Sequence, residues 1–454
     1  MKKRITIFIF IIASFVYAQD TIQLSIDECV ELALKNNVTM KIANAKVADA
    51  KYSKYQSWGS ILPKVDLRGI NIIDEKIRPI DNFFYVPGIT TNPDDPITFL
   101  MSEPYLEMDF TQDYQFDLSV TQPIFTGGKI LNGIRLANTN SNIEVLSNEL
   151  EKREMIYKVV QTYFGVLVAR QYNNVASEAY KMATDFYNIT EIMYEQGMVS
   201  KLDLLQANVQ VSNLLPQKTK AEKAVQLAES GLKVLTGIDD NSIVELTDQL
   251  EYYRHEYSYQ QLQKEALANR LELQQMDLRQ NIGKYGLAMA RSNYLPMLAL
   301  TGSYSKFGND IDNYNKWDDF YTIALGLDFN LFNGGGTHTN IQKAKVALKQ
   351  IKWGTDGLKD GIKMEVEQAF LKLESAEKNL LSQEKTVNQA EESVRIAKLQ
   401  YKEGLITNLQ ANQIQISLTT AKVNYIQAIF EYTLANISIR KATGKELLNT
   451  KETK

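Results

Sequence analysis

Side chains able to do chemistry are scarce in this chain. Its 454 residues hold one cysteine, Cys29, and two histidines, His255 and His338. That stock is too small for a zinc site built from Cys and His, or for a Cys/His nucleophile pair. Carboxylates are plentiful, but they fall on helical faces, where solvated charge is the ordinary role. A lone cysteine excludes an intrachain disulfide, and within "SIDECVELAL" it reads as a small buried hydrophobe. No enzymatic activity, cofactor or metal is expected. A net charge of −4 gives no reason to expect nucleic acid as a partner.

What stands out instead is a pair of glycine-centred segments, "YEQGMVSKLDLLQA" (194–207) and "YKEGLITNLQANQI" (401–414). Tyr194 and Tyr401 lie 207 residues apart, as do Gly197 and Gly404. Each segment interrupts a long helical pattern that resumes almost at once, so each reads as a helix reversal. Gly197 and Gly404 supply the permissive backbone, and Ser200 and Thr407 suit the cap of the returning helix. Apolar residues crowd both turns: Met198, Val199, Leu202, Leu204 and Leu205 in the first, Leu405, Ile406 and Leu409 in the second. Exposed apolar side chains at such a tip suit docking of a partner's helices.

The offset of 207 extends through the chain. "PIFTGGK" (123–129) falls on "NLFNGGG" (330–336), which sets Gly127 and Gly128 on Gly334 and Gly335 at two strand-to-helix junctions. Gln161-Thr162-Tyr163 falls on Gln368-Ala369-Phe370, and Thr236-Gly237 on Thr443-Gly444. Nearer the start the offset becomes 233, with Leu62-Pro63 on Leu295-Pro296. The difference of 26 residues places an insertion between Pro63 and Pro123, and segment 74–113 reads as a long loop. The chain is a duplication.

Its organisation follows. Lys2, Lys3 and Arg4 precede an apolar run from Ile5 to Val16, so 1–18 reads as a secretory signal peptide, with the mature chain beginning at Gln19. A first repeat spans 19–236, with strands about 64–73 and 114–125, a long helix about 129–196 and a return helix about 200–236. After a linker, 237–258, the second repeat covers 259–444. It has strands about 297–306 and 320–332, a long helix about 336–403 and a return helix about 407–443. A tail, 445–454, follows.

Two periodicities give the fold class. Val366, Leu373, Leu380, Val387, Val394 and Tyr401 recur every seven residues, with Ala369, Ala376, Ala390 and Ala397 between them. Val159, Val166, Asn173, Tyr180, Tyr187 and Tyr194 repeat the pattern in the first copy, against the small residues Thr162, Ala169, Ala176, Ala183 and Thr190, so coiled-coil seams are expected. "FYTIALGLDFNLF" (320–332) and "YQFDLSVT" (114–121) alternate apolar and polar residues, as strands in a membrane barrel do. An α+β membrane protein built from a duplicated helix–β-hairpin–long helix–helix unit is implied. Four strands close no barrel, so several copies must pool them; two, three or four copies would give eight, twelve or sixteen strands. The alternative is a periplasmic coiled-coil scaffold without a pore.

These residues together resemble the TolC-like outer membrane efflux proteins. The likeness rests on the duplicated unit, the "PIFTGGK" and "LFNGGG" junctions, "YEQGMVSKLDLLQA", and the ending "AKVNYIQAIFEYTLANISIRKATG" (421–444). The resemblance implies a homotrimer with a 12-stranded outer-membrane β-barrel in lipid, continued by a 12-helix periplasmic α-barrel. It further implies a periplasmic membrane-fusion adaptor protein and an inner-membrane pump of RND or ABC type as partners, and an export function. On this likeness the adaptor-docking tip comprises Gly197 to Ser200, Leu202 to Leu205, Gly404 to Thr407 and Leu409, with Asp203 among them. The periplasmic constriction comprises Asn408, Gln410, Asn412 and Gln413. Here the sequence departs from the family pattern, which carries two carboxylates where Gln410 and Gln413 stand. A neutral amide ring is expected.

Overall fold

The computed structural model describes residues 21–71, 114–254, 256–311 and 314–447. The expected leader, the inserted loop 74–113, His255 and the end of the tail lie outside the described residues. In chain order the elements are β1 (Thr21–Leu24), α1 (Ile26–Asn36), α2 (Val38–Gly59), β2 (Lys64–Asn71), β3 (Tyr114–Phe125), α3 (Lys129–Glu195) and α4 (Lys201–Thr236). Then come β4 (Ile243–Leu246), α5 (Tyr259–Asn269), α6 (Leu271–Ser292), β5 (Met297–Ile311), β6 (Tyr314–Asp328), α7 (Gly336–Lys402) and α8 (Asn408–Thr443). The two long helices, α3 and α7, have 67 residues each, and the two return helices 36 each. At about 1.5 Å per residue each long helix spans about 100 Å.

The chain forms two compact units, Met1–Lys51 with Thr139–Gln280 and Lys349–Lys454, and Tyr52–Asn138 with Asn281–Leu348. In the helical unit each repeat has its own core. Leu24, Cys29, Ala33, Met40, Val159, Tyr163, Val166, Leu232 and Val244 pack together in the first. Leu262, Ala266, Ile362, Val366, Leu373, Leu380, Tyr432, Ala435 and Ile439 do so in the second. Ala428 and Ala435 on α8 are fully buried in the second core. α4 and α8 both end on a left-handed glycine, Gly237 at φ 72° and Gly444 at φ 69°.

The heptads hold better in one copy than in the other. Val366, Leu373, Leu380, Ala397 and Tyr401 are buried on α7. On α3 the buried positions pass from Val159 and Val166 to Val175, Ala179, Ala183 and Phe186, while Tyr194 is exposed. A helix near 3.6 residues per turn drifts about 20° per heptad, and the first-copy seam at Asn173, Tyr180 and Tyr187 is corrected accordingly.

The stretch 237–258 is more than a linker. β4 pairs in parallel with β1, from Thr21 opposite Ile243 to Leu24 opposite Leu246. Tyr163, fully buried, donates its hydroxyl to the Asp248 carboxylate at 2.7 Å, with the Leu24 carbonyl 3.0 Å away. Beyond it, Tyr252 donates to Glu377 at 2.7 Å, which ties the stretch to the second repeat.

The second unit holds one antiparallel sheet in the order β2-β3-β5-β6, so β3 and β5 join the hairpins of the two repeats. Its apolar face is open: Leu67, Ile323, Leu325 and Leu327 are all more than 60% exposed. The polar face carries its own bonds, among them Ser305 donating to Asp117 at 2.7 Å. β5 and β6 pair out to Ile311 opposite Tyr314, so β5 runs past the expected end at 306, and β6 starts before 320 and ends before 332. Ladder bonds extend the hairpin through the charged stretch around Trp317, Lys316 to Asp319, where apolar and polar residues do not alternate cleanly.

Two outcomes check this packing. Ala435→Leu overfills a fully buried position of the second core and should lower stability by about 1–3 kcal/mol, while Glu392→Gln, on the exposed face, should leave the unfolding midpoint unchanged. Burial pushes the Cys29 thiol up to about 12. A maleimide should therefore leave the folded protein unlabelled at neutral pH and label it once unfolded.

Candidate functional site

Both reversals are built by the same local rules. At the end of α3, Gly197 takes φ 73°, its amide donates to Tyr194 O at 2.9 Å, and the Met198 amide donates to Met193 O at 2.8 Å. At the end of α7, Gly404 takes φ 69°, with Gly404 N to Tyr401 O at 3.0 Å and Leu405 N to Gln400 O at 2.8 Å. Each pair of bonds satisfies carbonyls that the last helical turn leaves open. Ser200 Oγ then accepts from Asp203 N at 3.2 Å, and the Asp203 carboxylate accepts from Ser200 N at 3.1 Å. Thr407 and Gln410 repeat the reciprocal cap, with Gln410 N to Thr407 Oγ1 at 3.3 Å and Thr407 N to Gln410 Oε1 at 2.9 Å.

The two reversals touch. Asn408 Nδ2 donates to Asp203 O at 2.9 Å, and only 3% of Asn408 is exposed. Asn408 is therefore corrected from a lining residue to one that packs the reversals together. Behind it Tyr401 is buried against Phe186, their rings 4.4 Å apart, and its hydroxyl lies 3.0 Å from Thr190 Oγ1. Burial raises the Tyr401 phenol above its ordinary range, and the charge of Asp203 raises it further. Next to this pair lies a cavity of about 110 Å³, lined by Met182, Phe186, Ile189, Ala397, Tyr401 and Ala411 among others.

The tip candidates divide by exposure. Met198, Leu202, Leu205, Leu405 and Leu409 are exposed, while Val199, Asp203, Leu204 and Ile406 are half-buried. Gln413 is exposed and Asn412 half-buried. Gln410 is exposed too, but its side-chain oxygen belongs to the Thr407 cap. Sequence reading missed Thr190, which it took only for a small seam residue. A polar residue opposite a seam tyrosine was the available signal. It also missed Lys422, which sits between Glu178 at 3.0 Å and Glu391 at 3.4 Å and joins α3, α7 and α8.

At the strand-to-helix junctions, Gly127, Gly128, Gly334 and Gly335 all have positive φ, between 60° and 83°, and turn strand into helix. Among the described residues no helix is long and apolar enough to cross a membrane. None of their His, Cys, Asp and Glu side chains gather into a group of three fit for a metal.

The described residues thus combine an open apolar sheet face, two sheet edges without partners among them, and duplicated long helices with apolar residues at their reversals. The profile of the family described as outer membrane efflux protein matches residues 100–238 and 262–445. The chain belongs to that family. It is 21% identical over 333 residues to the outer membrane efflux protein BepC of Brucella suis, covering 72% of this chain and 71% of the relative. It is 22% identical over 352 residues to the alkaline protease secretion protein AprF of Pseudomonas aeruginosa, covering 74% and 72%. The fold superposes on the CmeC outer membrane channel of Campylobacter jejuni with a TM-score of 0.73 at 18% identity, over 94% of this chain and 88% of that one. The protein is thus an outer-membrane efflux channel component with a helical periplasmic extension, and it is not an enzyme.

The contact between the reversals is open to test. Asn408→Ala removes a buried bond and should lower the local opening free energy by about 1–2 kcal/mol, read as faster hydrogen exchange at both reversals. Leu409→Ala, on an exposed side chain, should leave that exchange unchanged.

Proposed function

We propose that three copies of this chain form the outer-membrane exit duct of a tripartite efflux or type I secretion system. Their pooled strands make one 12-stranded barrel, and their helices make a 12-helix tunnel in the periplasm. A single observation carries the reading: among the described residues the sheet has four strands, an exposed apolar face, and two edges, β2 and β6, with no pairing partner. Hydrocarbon satisfies no backbone amide, so such edges persist in a membrane only when another chain pairs with them. The relatives support both cargo classes, since one is named for efflux and another for alkaline protease secretion.

Coupling runs through the tips. Met198, Leu202, Leu205, Leu405 and Leu409 present apolar surface to the helices of a periplasmic adaptor, which links the duct to an inner-membrane pump of RND or ABC type. Leu202→Asp with Leu205→Asp should abolish export from cells while leaving the amount and oligomeric state of the protein in the outer membrane unchanged. Normal export by that variant would place adaptor recognition elsewhere.

The constriction is neutral. Gln410 and Gln413 stand on the first turns of α8, and Gln410 occupies the place that Asp203 holds in the first repeat. Conductance in planar bilayers should respond weakly to multivalent cations on the periplasmic side. Gln410→Asp keeps the cap, as Asp203 does, and together with Gln413→Asp should introduce cation block. Strong block in the unmodified protein would contradict the neutral ring.

A further inference from the structure

The seam between the two hairpins inside this chain is a template for the seam between copies, because each repeat supplies one hairpin. Within the chain, β3 pairs with β5 at Val120 opposite Gly302, Thr121 opposite Thr301 and Gln122 opposite Leu300. The offset of 207 carries β3 onto β6, and the offset of 233 carries β2 onto β5. The equivalent pairs are then Leu327 with Gly69, Asp328 with Arg68 and Phe329 with Leu67. The first pair keeps a large apolar residue opposite a glycine. Where Thr121 meets Thr301 the equivalent pair, Asp328 and Arg68, brings opposite charges together, and where Gln122 meets Leu300 the equivalent pair, Phe329 and Leu67, is apolar on both sides.

We infer that β6 of one copy pairs antiparallel with β2 of the next in this register, Asp328 meeting the neighbour's Arg68, and that the neighbour's Leu62 seats on Gly334. The inference rests on the proposed pooling of sheets and fixes its geometry. Three further observations agree with it. First, β6 stops at Asp328, whereas its counterpart β3 runs on to Phe125. Residues 329–332 correspond to 122–125, the part of β3 that pairs only with β5, and their own partner lies in the next copy.

Second, the junction glycines differ. A Cβ on Gly127 would lie 2.8 Å from Ser292 O and 2.9 Å from Leu295 Cβ, whereas one on Gly334 would meet nothing within 4 Å. The counterparts of Ser292 and Leu295 are Gly59 and Leu62, and Leu62 is 65% exposed. Third, Arg68 stands opposite Asp117 across β2 and β3, and Asp117 already accepts from Ser305 and Gln115. Arg68 has no ion pair within 4.0 Å among the described residues, and Asp328 of the adjoining copy provides one.

Disulfide trapping in the full-length protein in detergent tests the register, since Cys29 is buried. Asp328→Cys with Arg68→Cys should cross-link copies under mild oxidation. Asp328→Cys with Asp66→Cys, two residues out of register on the same face, should give on the order of tenfold less. As a second readout, Asp328→Arg should lower the temperature at which the detergent-resistant oligomer dissociates, and adding Arg68→Asp should restore it. An intact trimer that cross-links best through Asp66→Cys, or through neither pair, or that shows no charge-swap rescue, would overturn the register and leave the pooled barrel standing. A protein that is monomeric in native mass spectrometry would overturn both.

Discussion

The backbone of a sheet edge is the constraint on which this protein turns. An amide in hydrocarbon has no water to bond, and leaving it unpaired costs several kcal/mol. The described residues of one chain supply four strands with a bonded centre and two open edges, and in the proposed barrel the exposed Leu67, Ile323, Leu325 and Leu327 face lipid. Closure between copies removes the edges altogether. Everything else in the chain is consistent with that need: the duplication makes the two hairpins equivalent, and equivalence lets one kind of seam serve within and between chains.

Leaving the sheet, the chain must go out and come back, and it does so twice by the same local chemistry. Gly197 and Gly404 permit a left-handed residue, and Ser200 and Thr407 start the return. The two tips are not interchangeable, however. Asn408 of the second reaches into the first, and Tyr401 closes over Thr190. Local rules make each turn, and side chains specific to one repeat join them.

Much of this was legible in the sequence, and the limits have physical causes. Reversals, caps and left-handed glycines depend on neighbours within about five residues, so "YEQGMVS" and "YKEGLIT" reveal them directly. β3 was visible because its alternation is complete from Tyr114 to Thr121. The outer parts of β5 and β6 were hidden, since they are polar and exist through their mutual ladder. β4 was hidden because four residues, Ile243–Leu246, become a strand only against β1, more than two hundred residues away. Asn408 and Thr190 were misread for a similar reason. Their roles depend on which helix faces them, and a seam that drifts from a strict heptad does not state this.

The central claim is that the free edges of β2 and β6 are paired in the membrane. Hydrogen exchange on the protein in lipid, resolved to the four strands, measures this directly. Pooling predicts that amides of 64–71 and 322–328 exchange as slowly as those of β3 and β5, because every strand is flanked on both sides. Rapid exchange confined to β2 and β6, with β3 and β5 protected, would show open edges and contradict the closed barrel.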